Sequence, residues 1–228
     1  MPRPLPMRDA AIRRFALIVF DWDGTLVDST DTIARCLQDA CREVGEPVPD
    51  DTAARYVIGL GLRDALEYVA PGLAAARYPE LSARYRDHYL ARDPHIPLFD
   101  GARDLLDELA AAGYLLAVAT GKTRPGLDRA LATHALADRF HATRCADEGR
   151  PKPHPDMLLH LMGHLAVPPA RTLMIGDTTH DLDVAHGAGA HAVAVAYGAH
   201  APEGLQARRP LATVHSLAEL RAWLATNG

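Results

Sequence analysis

Lysine is nearly missing from this chain of 228 residues: Lys122 and Lys152 are the two, and arginine supplies every other strong base. No basic stripe stands out, and the formal net charge is −5. A nucleic-acid-binding face needs clustered Lys and Arg, so none is expected, and no polybasic anchor for anionic lipid is present. Long apolar runs are lacking as well. Leu115–Thr120 with its neighbours falls far short of the ~20 residues that span a bilayer. The opening "MPRPLPMRDAAIRR" carries no apolar stretch of signal-peptide length. Cysteine is scarce and odd in number: Cys36, Cys41 and Cys145 show no CxxC spacing, which points to a cytoplasmic protein with free, buried thiols. The rest of the composition, 48% hydrophobic and 23% charged, suits one core-rich domain with a smaller one attached.

What is present is concentrated in "FALIVFDWDGTLVDST", Phe15 to Thr30. A nearly pure apolar strand ends in Asp21 and Asp23, followed at once by Gly24 and Thr25. Two carboxylates so close repel unless a proton or a positive charge stands beside them. After the turn, Ser29 or Thr30 is placed to cap a helix in which Ile33, Leu37, Ala40, Cys41 and Val44 recur at helical spacing. Gly45 and Pro47 stop it. Residues 51–92 read as helix, broken at "GLGL" (59–62) and "PG" (71–72), and no strand candidate interrupts 29–93.

Beyond the proline-bearing "DPHIPLFDG" the pattern alternates: helices at 101–112, 125–135, 155–165, 179–187 and 216–226, and strands at 114–120, 139–143, 172–177, 191–197 and 212–214. Strand alternating with helix predicts an α/β fold, a doubly wound parallel sheet. The expected organisation is a tail at 1–14, an α/β core from 15–27 and 99–228, and a helical cap at 28–98 inserted after the first strand.

Ligands of open α/β sheets bind beyond the carboxyl ends of the strands. Asp21, Asp23, Thr120 and Asp177 stand at those predicted ends, and Lys152 lies in the loop "RPKPHPD". Such a set suits phosphoryl transfer. Two carboxylates and a backbone carbonyl can cradle Mg²⁺, a hard cation that keeps several waters; the metal would let Asp21 and Asp177 approach each other. Lys152 would add charge, while Thr120 and the N–H groups near Gly24 and Gly121 would donate to phosphoryl oxygens.

"DWDGTLVDS", "AVATGK", "RPKPHPD" and "MIGDTTHDLDVAHGAG" resemble, in order, the four motifs of the haloacid-dehalogenase-like phosphatases. The cap after the first motif resembles the branch of phosphoglycolate phosphatase and β-phosphoglucomutase. The resemblance implies Asp21 as nucleophile forming an aspartyl-phosphate and Asp23 as acid, then base. It also implies Mg²⁺ held by Asp21, Asp177 and the Asp23 carbonyl, with Asp181 orienting Lys152 or metal-bound water. Gly24 would permit the tight turn and Thr25 brace it. The substrate implied is a small phosphate ester, most like phosphoglycolate, for a monomer or homodimer.

Plainer explanations exist for each residue. A lone DxD can be a solvated turn or a capping pair, and Asp177 with Asp181 can be an acidic helix start favoured by the dipole. Lys152 could be a surface residue; its retention in a chain that otherwise uses arginine argues for a compact point charge, although Lys122 is retained too and could be merely solvated. His160 and His164 stand at i, i+4 with no third zinc ligand in view. "GLGL" lacks the preceding strand of a dinucleotide fingerprint; its position resembles a substrate-facing cap loop, which makes Arg63 a candidate contact for a substrate carboxylate or second phosphate. Among siblings, a dehalogenase does not need Asp23, and a phosphonatase needs a cap lysine where 28–98 has none. A sugar phosphomutase and a non-catalytic metabolite-binding relative are the alternatives to hydrolysis.

Overall fold

The computed structural model describes residues 13–228; residues 1–12 of the expected tail lie outside it. Six parallel strands form one sheet: β1 (Leu17–Phe20), β2 (Leu115–Thr120), β3 (Ala142–Cys145), β4 (Thr172–Gly176), β5 (His191–Val195) and β6 (Thr213–Val214). Their order is β3-β2-β1-β4-β5-β6. β1 is therefore flanked on both sides, with Leu17 opposite Leu115 in β2 and Thr172 in β4. This explains its unbroken apolar sequence. Ile18 and Phe20 point into one core layer, Leu17 and Val19 into the other, so alternation is invisible when both faces are buried.

One face is covered by α5 (Ala102–Ala111), α6 (Arg124–Thr133) and α10 (Leu217–Asn227), through Leu105, Leu106, Leu127, Leu131 and Leu220. The opposite face is covered by α7 (Asp156–His164), α8 (Thr179–Gly187) and α9 (Pro202–Ala207), through Leu158, Leu161, Leu182 and Leu205. β3 is one of the two edge strands and lies later than the expected 139–143. Its place is set by pairing, Ala117 with Ala142 and Thr120 with Cys145, over a half-buried sequence, Ala-Thr-Arg-Cys, with no alternation to read.

Between β1 and β2 run α1 (Thr30–Glu43), α2 (Asp51–Tyr56), α3 (Leu62–Val69) and α4 (Tyr78–Arg92), all helical as expected. They bury a separate apolar cluster that includes Ile33, Leu37, Val57, Leu66 and Leu81. Helical spacing in α1 places Ile33, Leu37, Ala40 and Cys41 on its buried side. Ser29 occupies the N-cap position of α1 but makes no capping bond. Its hydroxyl donates instead to Asp23 Oδ1, at 2.8 Å.

Candidate active site

The chain passes from β1 to β2 to β3 on one side, then crosses back to β4 on the other. The switch point falls between β1 and β4, where open α/β sheets form their crevices. Asp21 follows β1 directly, and its N–H donates to Ile175 O in β4 at 2.9 Å. Asp177 follows β4. Asp21, Asp177 and Asp181 converge, with one carboxylate oxygen from each lying within 4.8 Å of the others. All are buried, as are Thr120 and Lys152.

Lys152 is wholly buried and bridges two of them, its Nζ 2.7 Å from Asp21 Oδ1 and 2.6 Å from Asp181 Oδ1. Burial works to discharge the ammonium; Asp181 and Asp21 outweigh it and hold Lys152 above the ordinary lysine value. The other Asp181 oxygen accepts from the Thr178 N–H and hydroxyl in a capping box that starts α8. Asp181 is thus both cap and Lys152 anchor.

Asp177 differs. Its Oδ1 accepts from the Thr25 hydroxyl at 2.8 Å and its Oδ2 from the Ala199 N–H at 2.7 Å. Thr25 therefore braces a carboxylate across the sheet. A Cβ on Gly24 or Gly198 would collide with Asp177 Oδ2, so two glycines keep this space clear. Asp21 Oδ2 is buried with no hydrogen-bond partner, a costly arrangement unless something positive meets it.

Three buried carboxylates face one ammonium. Burial, with Asp181 adding to it, raises the Asp177 carboxyl to about 7. Burial also raises Asp21 well above the ordinary carboxylate value; Lys152 opposes this, while Asp181 and Asp177 add to it. The orphan oxygen, the all-oxygen donors and the excess negative charge fit a hard divalent cation at Asp21 and Asp177. The folded-state value of Asp177 lies above its unfolded value, so its protonated form contributes stability below about pH 4, lost as pH climbs through about 7. A cation needs the ionised form and binds better over the same range. The rise in Tm given by excess MgCl₂ should therefore be small near pH 5.5 and large near pH 8 in thermal melts; equal shifts at both would show that Asp177 ionises unaided.

Asp23 stands two residues on. Ser29 and Lys122 both engage its Oδ1, Lys122 Nζ at 3.1 Å, leaving Oδ2 to a partner of another kind. The Lys122 ammonium also donates to the Tyr89 hydroxyl in α4 at 2.6 Å and lies 4.6 Å from the Tyr89 ring centre. Its side chain is 10% exposed, so it is not a merely solvated residue. The scarcity that singled out Lys152 applied equally to Lys122.

The expected N–H donors divide. The Gly24 N–H donates to Val27 O at 2.9 Å and is spent on the turn, with Gly24 at φ +79°. Of the N–H donors expected near Gly24, that of Gly24 itself is therefore not free. The Gly121 N–H makes no backbone bond among the described residues. Thr120 Oγ1 accepts from the Lys122 N–H at 3.2 Å, which leaves its own O–H free to donate. Gly121 also lies against the loop between α2 and α3, since a Cβ there would run into the carbonyls of Leu60 and Gly59. The "GLGL" loop thus packs beside Gly121.

Arg63 does not join it. Its side chain is 87% exposed and bonds Glu67 one turn along α3, because helical spacing brings that pair together on the outer surface. The rings of His160 and His164 stack 6.3 Å apart, outside any metal-binding group among the described residues. The three cysteines are free and buried, as expected. No helix among the described residues is long and apolar enough to cross a membrane.

Comparison with known proteins agrees with this geometry. The family model described as "Haloacid dehalogenase-like hydrolase" matches residues 18–195. A "Probable phosphatase IndB" of Dickeya dadantii is 36% identical over 90% of this chain and 91% of its own. A "5'-nucleotidase" of Pseudomonas aeruginosa is 34% identical over 97% and 100%, and a "Phosphoglycolate phosphatase" of Vibrio vulnificus 32% identical over 90% and 93%. Among solved structures, a haloacid dehalogenase-like hydrolase of Streptococcus pneumoniae superposes with a TM-score of 0.80 at 26% identity, over 92% of this chain and 98% of that one. This protein belongs to the haloacid dehalogenase-like hydrolase family.

Proposed function

We propose that the protein is a Mg²⁺-dependent phosphomonoesterase acting on a small organic phosphate, with Asp21 as nucleophile. The observation that carries this is the state of Asp21: one oxygen is held by Lys152 and the other is buried without a partner, opposite Asp177. Asp21, Asp177 and the Asp23 carbonyl would hold the cation. When bound, it supplies positive charge against the phosphoryl oxygens.

Lys152 opposes protonation of the Asp21 carboxylate and aims it, and Asp181 fixes Lys152. Thr120 Oγ and the Gly121 N–H are free donors for phosphoryl oxygens. Asp21 attacks phosphorus as the bond to the ester oxygen breaks, and Asp23 gives that oxygen its proton. Water then attacks the aspartyl-phosphate and loses a proton to Asp23 as the Asp21–phosphorus bond breaks. Inorganic phosphate leaves and both aspartates are restored. Residues 28–98 act as the cap that closes over the leaving group, through Leu60 against Gly121 and Tyr89 against Lys122.

Phosphate release from a panel of esters, with and without Mg²⁺, tests this. The panel includes phosphoglycolate, sugar phosphates, nucleotides and p-nitrophenyl phosphate. Metal-dependent release is expected, and Asp23→Asn should slow it by roughly 10²–10⁴-fold, the range of general acid–base catalysis. Conversion of a hexose phosphate to its isomer without phosphate release would favour a mutase. Tight binding without turnover would favour a metabolite-binding relative.

A further inference from the structure

We propose that the leaving group this enzyme accommodates is apolar: its substrate is the phosphate monoester of an aliphatic or aromatic alcohol, in preference to glycolate or a sugar. This rests on the proposed role of Asp23. A cavity of about 380 Å³ opens at Asp23 between cap and core. If Asp23 protonates the ester oxygen, whatever that oxygen carries extends into this cavity. Space on that scale houses drug-sized molecules, and a glycolate would occupy only a corner of it.

The cap-side wall is Ile33 and Leu37 of α1, Val57 and Ile58 after α2, and Tyr85 and Leu90 of α4. Ile33, Leu37 and Val57 also belong to the apolar cluster of the cap, so the cavity is that cluster opened toward the site. Of the cations nearby, Arg86, Lys122 and Arg129 line the cavity, whereas Arg55 and Arg63 lie outside it. Arg55 pairs with Asp31 and reaches Thr30, and Arg63 pairs with Glu67 on the outer surface. Arg86 lines the cavity from an exposed position, and Arg129, half-exposed, leans toward Asp93 at 3.8 Å. Lys122 is committed to Asp23 and Tyr89. Against the Ile33, Leu37 and Val57 wall a carboxylate or a set of hydroxyls would lose water and meet only hydrocarbon, whereas an alkyl or aryl group gains by burial.

The test is kcat/KM of the full chain with Mg²⁺ on ethyl, butyl and hexyl phosphate beside phosphoglycolate. Each buried methylene should raise kcat/KM about three- to fourfold, so roughly 10²-fold from ethyl to hexyl, with phosphoglycolate among the poorest. A flat series, or phosphoglycolate as the best substrate, would overturn the inference while leaving the hydrolase intact. No release from any ester, p-nitrophenyl phosphate included, would remove the hydrolase and this inference together. Leu90 lies on the cavity wall and is 47% exposed, so a charge there does not threaten the fold. Leu90→Lys should lower the hexyl-to-ethyl ratio about tenfold; an unchanged ratio would show that the chain does not lie in the cavity.

Discussion

Asp21→Asn should abolish phosphate release, by about 10⁶-fold in kcat, the scale on which removing a covalent nucleophile acts, and the variant should melt no lower than the parent. The two halves of this expectation have one origin. The asparagine keeps the shape of the side chain but cannot form an acyl phosphate. It also removes one of three buried carboxylates that face a single ammonium, and Asp21 is held well above the ordinary carboxylate value by burial before anything else. Loss of that charge relieves the repulsion felt by Asp177 and Asp181 in the metal-free protein. Lys152 keeps Asp181 as a partner at 2.6 Å. Stability is thereby sacrificed to function at this site, and thermal melts beside single-turnover assays would read both. Hydrolysis within tenfold of the parent, with no reversion to aspartate by mass spectrometry, would refute the covalent route.

Lys152→Met is expected to do what Asp21→Asn does not, and lower stability as well as activity. The methionine fills a similar volume, so the loss is of charge. Asp21 and Asp181 are then buried without their counter-ion, and breaking a buried pair from one side costs about 3–5 kcal/mol. For a chain of this length that is a fall of roughly 10 °C in Tm. The two carboxyls would relieve it by taking up a proton, which also disables the nucleophile. Adding Asp181→Asn to Lys152→Met should recover part of the Tm and none of the turnover, since one stranded charge is gone and the nucleophile is still unaided. A single variant that melts with the parent would mean that the carboxylates are paired by something other than Lys152.

The core was legible in the sequence because parallel strands buried on two faces are plain apolar runs. Leu17–Phe20 and Thr172–Gly176 announce themselves, and each ends in an acidic residue at a crevice-forming edge. The α1 register was equally readable, because a helix with one buried side repeats its apolar residues at fixed spacing. β3 was misplaced by a few residues, since an edge strand of Ala-Thr-Arg-Cys takes its limits from its partner. Arg63 was named for its position beside a loop expected to face the substrate, but the side chain follows its helix outward to Glu67. Lys122 was undervalued because nothing in "GKT" reveals Tyr89, which arrives from 33 residues earlier in the chain.

By itself, then, the sequence determined the sheet, the inserted helices and the acidic residues at the strand ends, because burial pattern and turn chemistry are local properties. Tertiary structure alone decided which groups meet: that Lys152 binds Asp21 and Asp181 across 131 and 29 residues, that Gly24 gives its N–H to Val27, and that a cavity opens beside Asp23 with Ile33, Leu37 and Val57 on one wall. Coulomb energy and desolvation depend on distance through space, and only the folded chain sets that distance.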